Sequence, residues 1–438
     1  MSQRKTTTRS RLAVPGIGLL AASLTLAACA TAAPTSSGVG GASPGTGATL
    51  AASFKVDTSN CLDPAAATKK VTGTWKIGYS APLSGPIAGV AAYALEGYKD
   101  RIAAQNAAGG VDGVKIAVTY KDDAFTPDKA KVNATYFIES EHVDSLSTFG
   151  SGPVGAMIQE QNASCVPLLY PSSSVQAYRS ISQYPWTVQF LPAGDAEASY
   201  DVSVIKAHYP HGVKVGIAED VTASGVGEEQ AFVQQAKGTN IKVALVTPST
   251  DPDAAATALA AAKVPVVYDA GITTDCGPLV QALARIGYTP KLVVNPSNCA
   301  DATAYVAAGA AANGNVVPAW DKDPADPRLA SDAGVKKYLS EVHGPDAANA
   351  ITVSGWLEAD LTIKTLELAA ASPAGMSHVG VIEAARNMSY ASPMMINGIK
   401  WVSTPTNLIG FDSFQTEVWN ATTKTFDSQG SLIKLTAG

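Results

Sequence analysis

The chain has 438 residues, of which 46% are hydrophobic and 16% charged, and its formal net charge is −6. That length accommodates two domains of ordinary size plus extra segments, and the apolar share suffices for buried cores. Both signs of charge are scattered along the sequence and no basic stripe follows the N-terminal region, which argues against nucleic acid as a partner.

The first elements concern targeting. Arg4, Lys5, Arg9 and Arg11 precede an apolar run from Gly16 to Ala28. That run is too short for a comfortable membrane span, so residues 1–28 read as a signal peptide. It ends in Leu26-Ala27-Ala28-Cys29, similar to the bacterial lipobox, which implies that Cys29 receives diacylglycerol and becomes the mature N-terminus. The competing reading is an ordinary signal peptide with an incidental cysteine. Residues 29–53 are dominated by Ala, Gly, Ser, Thr and Pro and carry no charge. Such a stretch cannot form a core; as a flexible tether its typical reach is roughly 25–30 Å. Residues 54–73 form an N-terminal extension containing Cys61.

From Trp75 a rhythm of strands and helices begins. WKIGYS (75–80) predicts a strand, the loop APLSGP (81–86) follows, and a helix runs from Ala88 to Asn106 with Ala, Leu and Tyr on its buried face. Gly109-Gly110 ends it, and VKIAVTY (114–120), DSLSTFG (144–150) and VPLLYPS (166–172) predict further strands. After Pro192 the rhythm restarts with VKVGIAED (213–220), a helix from about Gly227 to Lys237, IKVALVT (241–247), VPVVYDA (264–270) and PKLVVNPS (290–297). Short apolar strands alternating with helices predict mostly parallel sheets covered on both faces, and two such series predict two α/β lobes. Periodicity then gives helices over Ile351–Ala371 and Val379–Asn387 and a hairpin-like stretch from IKWVSTP through FDSFQTEVWN.

A catalytic engine is not evident, and neither an enzyme activity nor a cofactor is expected. There is no Gly-x-Ser-x-Gly elbow, no Walker loop and no dinucleotide glycine fingerprint after a strand. His208 and His211 are separated by Tyr-Pro, which breaks a helix, so they are no metal pair. Polar loops at the carboxyl ends of strands are abundant instead, and ligands bind at that edge in open α/β sheets. Ser84 follows the first strand, Ser151 and Gly152 the third, and Ser172, Ser173 and Ser174 the fourth. Hydroxyls and bare amides at helix starts favour anions, although any one serine can equally be a helix cap.

WKIGYSAPLSGP, NAAGGVDGVKIAVTYKDDAFTPDKA, VPLLYPSSS, GIAEDVTASGVGE and VSGWLEADLTIKTLELAAA together resemble the type I periplasmic binding proteins of branched-chain amino acid ABC transporters. The resemblance runs from about residue 74 onward. It implies two Rossmann-like lobes with parallel sheets joined by a three-segment hinge, closing on a ligand. The expected lobes are 74–190 with 320–395, and 191–319 with 396–438.

Carried over residue by residue, the resemblance places Ser151, Ser172 and Ser174 where relatives hold an α-carboxylate. The other lobe of relatives offers a tyrosine, a second aromatic and an acid for the ammonium. Here those positions read Ser224, Ile272 and Ser297, so a simple zwitterionic amino acid is not expected to bind in the familiar way. Asp269 and Asp275 lie close enough to substitute for the acid, and Asp275 can equally be a charge at a helix N-terminus. Trp320 sits at a crossover between lobes, as a ligand-stacking ring or as hinge packing.

Four cysteines beyond Cys29 allow three pairings. Cys276 and Cys299 each follow a strand of the second series; if those strands are neighbours, a Cys276–Cys299 bridge is expected, leaving Cys61–Cys165. The expected function is a lipid-anchored, extracytoplasmic substrate-binding protein of an ABC importer. It would capture an amino-acid-like or carboxylate-bearing solute, act as a monomer and dock on a permease. A sensory receptor of the same fold is the alternative.

Overall fold

The computed structural model describes residues 53–405 and 407–435. The signal peptide, Cys29 and the tether as far as residue 52 lie outside the described residues. The chain enters through a single helical turn, Pro64–Thr68, capped by Asp63, and Cys61 bonds to Cys165 with their Cα atoms 5.5 Å apart. The extension is thereby pinned to the lobe that follows it.

The first sheet contains β1 (Thr74–Ala81), β2 (Lys115–Asp122), β3 (Ser145–Thr148), β4 (Leu168–Leu169) and β5 (Thr187–Val188), all parallel, in the order β2-β1-β3-β4-β5. The strand rhythm anticipates four of these, whereas the two residues of β5 are too short to carry a period. β1 buries Trp75, Ile77 and Tyr79. Against this sheet lies α1 (Ala88–Ala107), whose buried Ala91, Ala94, Leu95 and Tyr98 form the expected face. α2 (Ser151–Ala163) follows β3 through Gly150, which has φ +98° and passes so close to the Phe125 ring that a Cβ would lie 2.3 Å from it. Only glycine fits that turn without strain.

The chain then crosses to a second sheet. α3 (Gly194–His208) leads into β6 (Val213–Glu219), followed by α4 (Ala223–Ala236), β7 (Ile241–Pro248), β8 (Val266–Ala270), α5 (Cys276–Arg285), β9 (Leu292–Val294) and β10 (Val316–Ala319). α4 begins four residues before the sequence suggests, because Ser224 and Gly225 join its first turn. β8 and β9 are hydrogen-bonded neighbours, and Cys276 bonds to Cys299 just beyond them, with Cα atoms 5.7 Å apart. Both bridges are the expected ones.

After β10 the chain returns to the first lobe. α6 (Ala350–Ala370), capped by the Asn349 carboxamide, packs along α1 at backbone contact. A Cβ on Gly97 would lie 1.9 Å from the Thr352 carbonyl oxygen, and one on Gly355 1.8 Å from that of Ala94. Arg101 of α1 pairs with Asp360 of α6 at 2.9 Å, and Tyr390 and Ser392 also donate to Asp360. A small antiparallel sheet of β11 (Ser389–Tyr390), β12 (Trp401–Val402) and β13 (Gly410–Phe411) carries the chain back. β14 (Ser413–Asn420) and β15 (Thr425–Lys434) then form a hairpin that extends the second sheet beside β10, giving the order β15-β14-β10-β9-β8-β6-β7. The expected hairpin is thus displaced: FDSFQTEVWN pairs with the segment after it, and IKWVSTP contributes to the small sheet. The turn Ala421–Lys424 decides this, because Asn420 caps it by accepting from the amides of Thr422 and Thr423.

Candidate ligand-binding cleft

The carboxyl ends of strands from both sheets converge on one cleft, with about 930 Å³ of free space counting its open mouth. The first lobe contributes Phe125, Phe149, Gly150, Ser172, Ser174 and Glu358. The second contributes Ser224, Glu228, Ile272, Thr273, Ser297 and Asn298, and Trp320 and Asp321 lie where the chain crosses back.

Six of the residues expected to bind ligand line this cleft: Ser172, Ser174, Ser224, Ile272, Ser297 and Trp320. The other five do not. Ser84 is exposed, and its hydroxyl donates to Asp122 at 2.6 Å, so it shapes the loop after β1. Gly152 sits in the first turn of α2, near Pro127. Ser151 and Ser173 are buried just behind the lining, with their hydroxyls 3.0 Å apart. Asp275 stands at the start of α5, where its carboxylate accepts from the amide of Ile272 at 3.2 Å and from Ser249. Burial pushes this carboxyl up to about 6. Trp320 both lines the cleft and packs within the hinge: its ring stacks on Phe411, centroids 4.8 Å apart.

Three carboxyl groups line the cleft, and of these Glu228 and Glu358 carry no expectation from the sequence. Glu358 of α6 is 1% exposed. Tyr79 donates to its Oε2 at 3.1 Å and Ser172 bonds to its Oε1; burial raises its pKa to about 8. Glu228 of α4 is 3% exposed, and its Oε2 has no partner. Its carboxyl is pushed well up, first by burial and then by Glu197, Asp201 and Asp269, while the Ser174 hydroxyl bonds to it. Asp321 is raised to about 8, again by burial. A sequence signal exists for Glu228, which lies one helical turn before the buried Phe232, and for Glu358, which interrupts the apolar run around Trp356 and Leu357.

The amide and hydroxyl of Ser297 both donate to the buried Glu197, so a carboxyl stands directly behind this lining residue. Burial lifts Glu197 to about 7. Among the described lining residues none is Lys, Arg or His. Among the described residues, moreover, no group of three or more His, Cys, Asp or Glu can hold a metal ion, and no helix is long and apolar enough to cross a membrane.

Comparison with known proteins decides the family, since residues 74–407 match the model of the periplasmic binding protein family. The chain belongs to that family. Its members bind solutes and are not enzymes. An amino acid binding protein of Pseudomonas aeruginosa is 27% identical over 286 residues, covering 62% of this chain and 73% of the relative. A branched-chain amino acid ABC transporter structure from Thermus thermophilus with bound valine superposes with TM-score 0.74 at 13% identity, over 83% of this chain and 97% of that one. A solute-binding protein from R. palustris in complex with benzoate gives TM-score 0.66 at 19% identity, over 83% and 99%. In this periplasmic binding protein the Cys276–Cys299 bridge follows from the pairing of β8 with β9.

Proposed function

We propose that the protein is the lipid-anchored, extracytoplasmic substrate-binding component of an ABC importer. It captures a small organic solute in the cleft, closes its lobes around it and presents the closed form to a permease. The lobes are assigned as 74–190 with 320–395, and 191–319 with 396–438, and Cys29 as the lipidated residue. The observation that carries this reading is one cleft lined from both sheets at their carboxyl ends, the arrangement in which a ligand gains contacts from the second lobe upon closure. Of the two solute classes expected, amino-acid-like and carboxylate-bearing, the lining favours the first. Glu228, Asp321 and Glu358 line the cleft, and no Lys, Arg or His among the described lining residues supplies a free carboxylate with a counter-charge.

A thermal-shift screen of small amines, amino acids, amides and carboxylates tests this. A ligand at 100 times its dissociation constant adds about 2.7 kcal/mol, a shift of several degrees for a protein of this kind. X-ray scattering with the hit should report a smaller radius of gyration. If every hit leaves the particle size unchanged, capture by closure is wrong.

A further inference from the structure

We propose that the ligand is a small apolar amine bound as its ammonium ion, with Glu228 supplying the counter-charge from one lobe and Glu358 a second carboxyl from the other. This rests on the reading of the cleft as the solute site and specifies the solute's chemistry.

The argument begins with unmet hydrogen bonds. A buried polar atom without a partner costs free energy unless a ligand completes it. Glu228 Oε2 is such an atom, on a side chain 3% exposed in the cleft wall, and Asn298 Oδ1 is another acceptor of the lining without a partner. Both call for donors. An ammonium supplies three and a charge with them, whereas a carboxylate supplies none.

The surroundings of Glu228 carry one sign. From α3 come Glu197 and Asp201, and from β8 Tyr268 and Asp269; no base stands among them. Tyr268 bonds to Asp201, while both carboxyl oxygens of Asp269 are themselves unpartnered. A cationic ligand can draw its counter-charge from Glu228 by ionising it, whereas an anion meets no base in the described lining. The rest of the lining is apolar and aromatic, including Phe125, Phe149, Phe190 and Trp320. It suits a hydrocarbon body, and its ring faces attract an adjacent cation.

Binding has a proton consequence. In the empty cleft, burial and then the neighbouring Glu197, Asp201 and Asp269 favour the protonated form of Glu228. When an ammonium arrives the carboxyl ionises, and one proton passes to the bulk buffer. Affinity then rises by up to tenfold per pH unit while Glu228 remains protonated in the free protein.

The test uses matched probes: isoamylamine, isovalerate and isoamyl alcohol, together with benzylamine, benzoate and benzyl alcohol. Calorimetry in buffers of different ionisation enthalpy should find an amine binding at least tenfold tighter than its acid and alcohol, with release of about one proton per ligand. E228Q should weaken that amine at least tenfold without lowering the melting temperature of the empty protein. E358Q provides an independent variant, expected to weaken the amine by a smaller factor. A matched acid or alcohol binding as tightly as the amine, no amine binding at all, or wild-type amine affinity in E228Q would each overturn the proposal. A non-amine that binds and compacts the particle would leave the binding-protein reading standing, whereas binding without compaction would count against that reading instead.

Discussion

The hydroxyl oxygens of Ser151 and Ser224 lie 2.8 Å apart, joining the first turn of α2 behind one sheet to the first turn of α4 behind the other. The residue expected to hold a ligand carboxylate is thus spent on a bond between lobes and on Ser173. A hydrogen bond of this kind is worth about 1 kcal/mol net, so S224A should lower the closed-to-open ratio roughly fivefold. Ligand affinity should fall by a similar factor, and the S151A/S224A double variant should lose no more than the worse single one. Fluorescence transfer between labels on the two lobes reads the ratio. Additive losses would mean that the two hydroxyls do not act on each other.

Stability should rise on acidification from pH 8 to pH 5. Glu358, raised to about 8, and Glu197, raised to about 7, keep their protons in the folded protein at pH values where the unfolded chain has lost them. A raised folded-state pKa contributes stability that is complete below the unfolded value near 4.5 and is lost as pH climbs through the folded value. Glu228, Asp201 and Asp269 act in the same direction. E358Q cannot ionise and should therefore melt higher than the wild type at pH 8 and show a shallower pH dependence. A flat melting temperature from pH 5 to pH 8 in the wild type would contradict the assignment.

Much of this architecture is legible in the sequence because local signals and long-range pairing agree. Runs such as VKVGIAED and IKVALVT are apolar and bounded by turn residues, and each becomes a parallel strand. The last third is less legible, since β11, β12 and β13 are two-residue strands whose pairing depends on the hinge around them. At the site, residues just after strands were readable from position alone. Ser84 fails because Asp122, on the neighbouring strand, claims its hydroxyl. Glu228 and Glu358 escape notice because an acid on a helix ordinarily faces water, and only the packing of α4 against α3 and of α6 against α1 buries them.

The two disulfides should differ in what they protect. Cys61–Cys165 spans a sequence separation of 104 residues, and neither cysteine lines the cleft; its removal by C61S should cost about 2–5 kcal/mol of stability. Ligand affinity should be unchanged. Cys276–Cys299 ties together the loops that present Ile272, Thr273 and Asn298, where Thr273 also donates to the Asn298 carbonyl at 3.2 Å. C276S/C299S should therefore weaken the ligand several-fold as well as lower the melting temperature. Calorimetry on both variants separates the effects; equal affinities would show that the loops hold their shape without the bridge.

The seam between α1 and α6 should be intolerant of a single methyl group. A Cβ on Gly355 would overlap the Ala94 carbonyl oxygen at 1.8 Å, and the obstacle is backbone, which cannot rotate aside. The helices would have to separate, costing about 1–3 kcal/mol as overpacking does. That separation would also draw Glu358 away from Tyr79 and Ser172, because both bonds depend on where α6 lies over the sheet. G355A should accordingly lower the melting temperature by several degrees and weaken the ligand, whereas G89A, at a position with nothing within 4 Å of the added methyl, should do neither. Thermal melts and one titration on each variant decide it, and a G355A protein as stable as G89A would mean that the close approach of the two helices is not required.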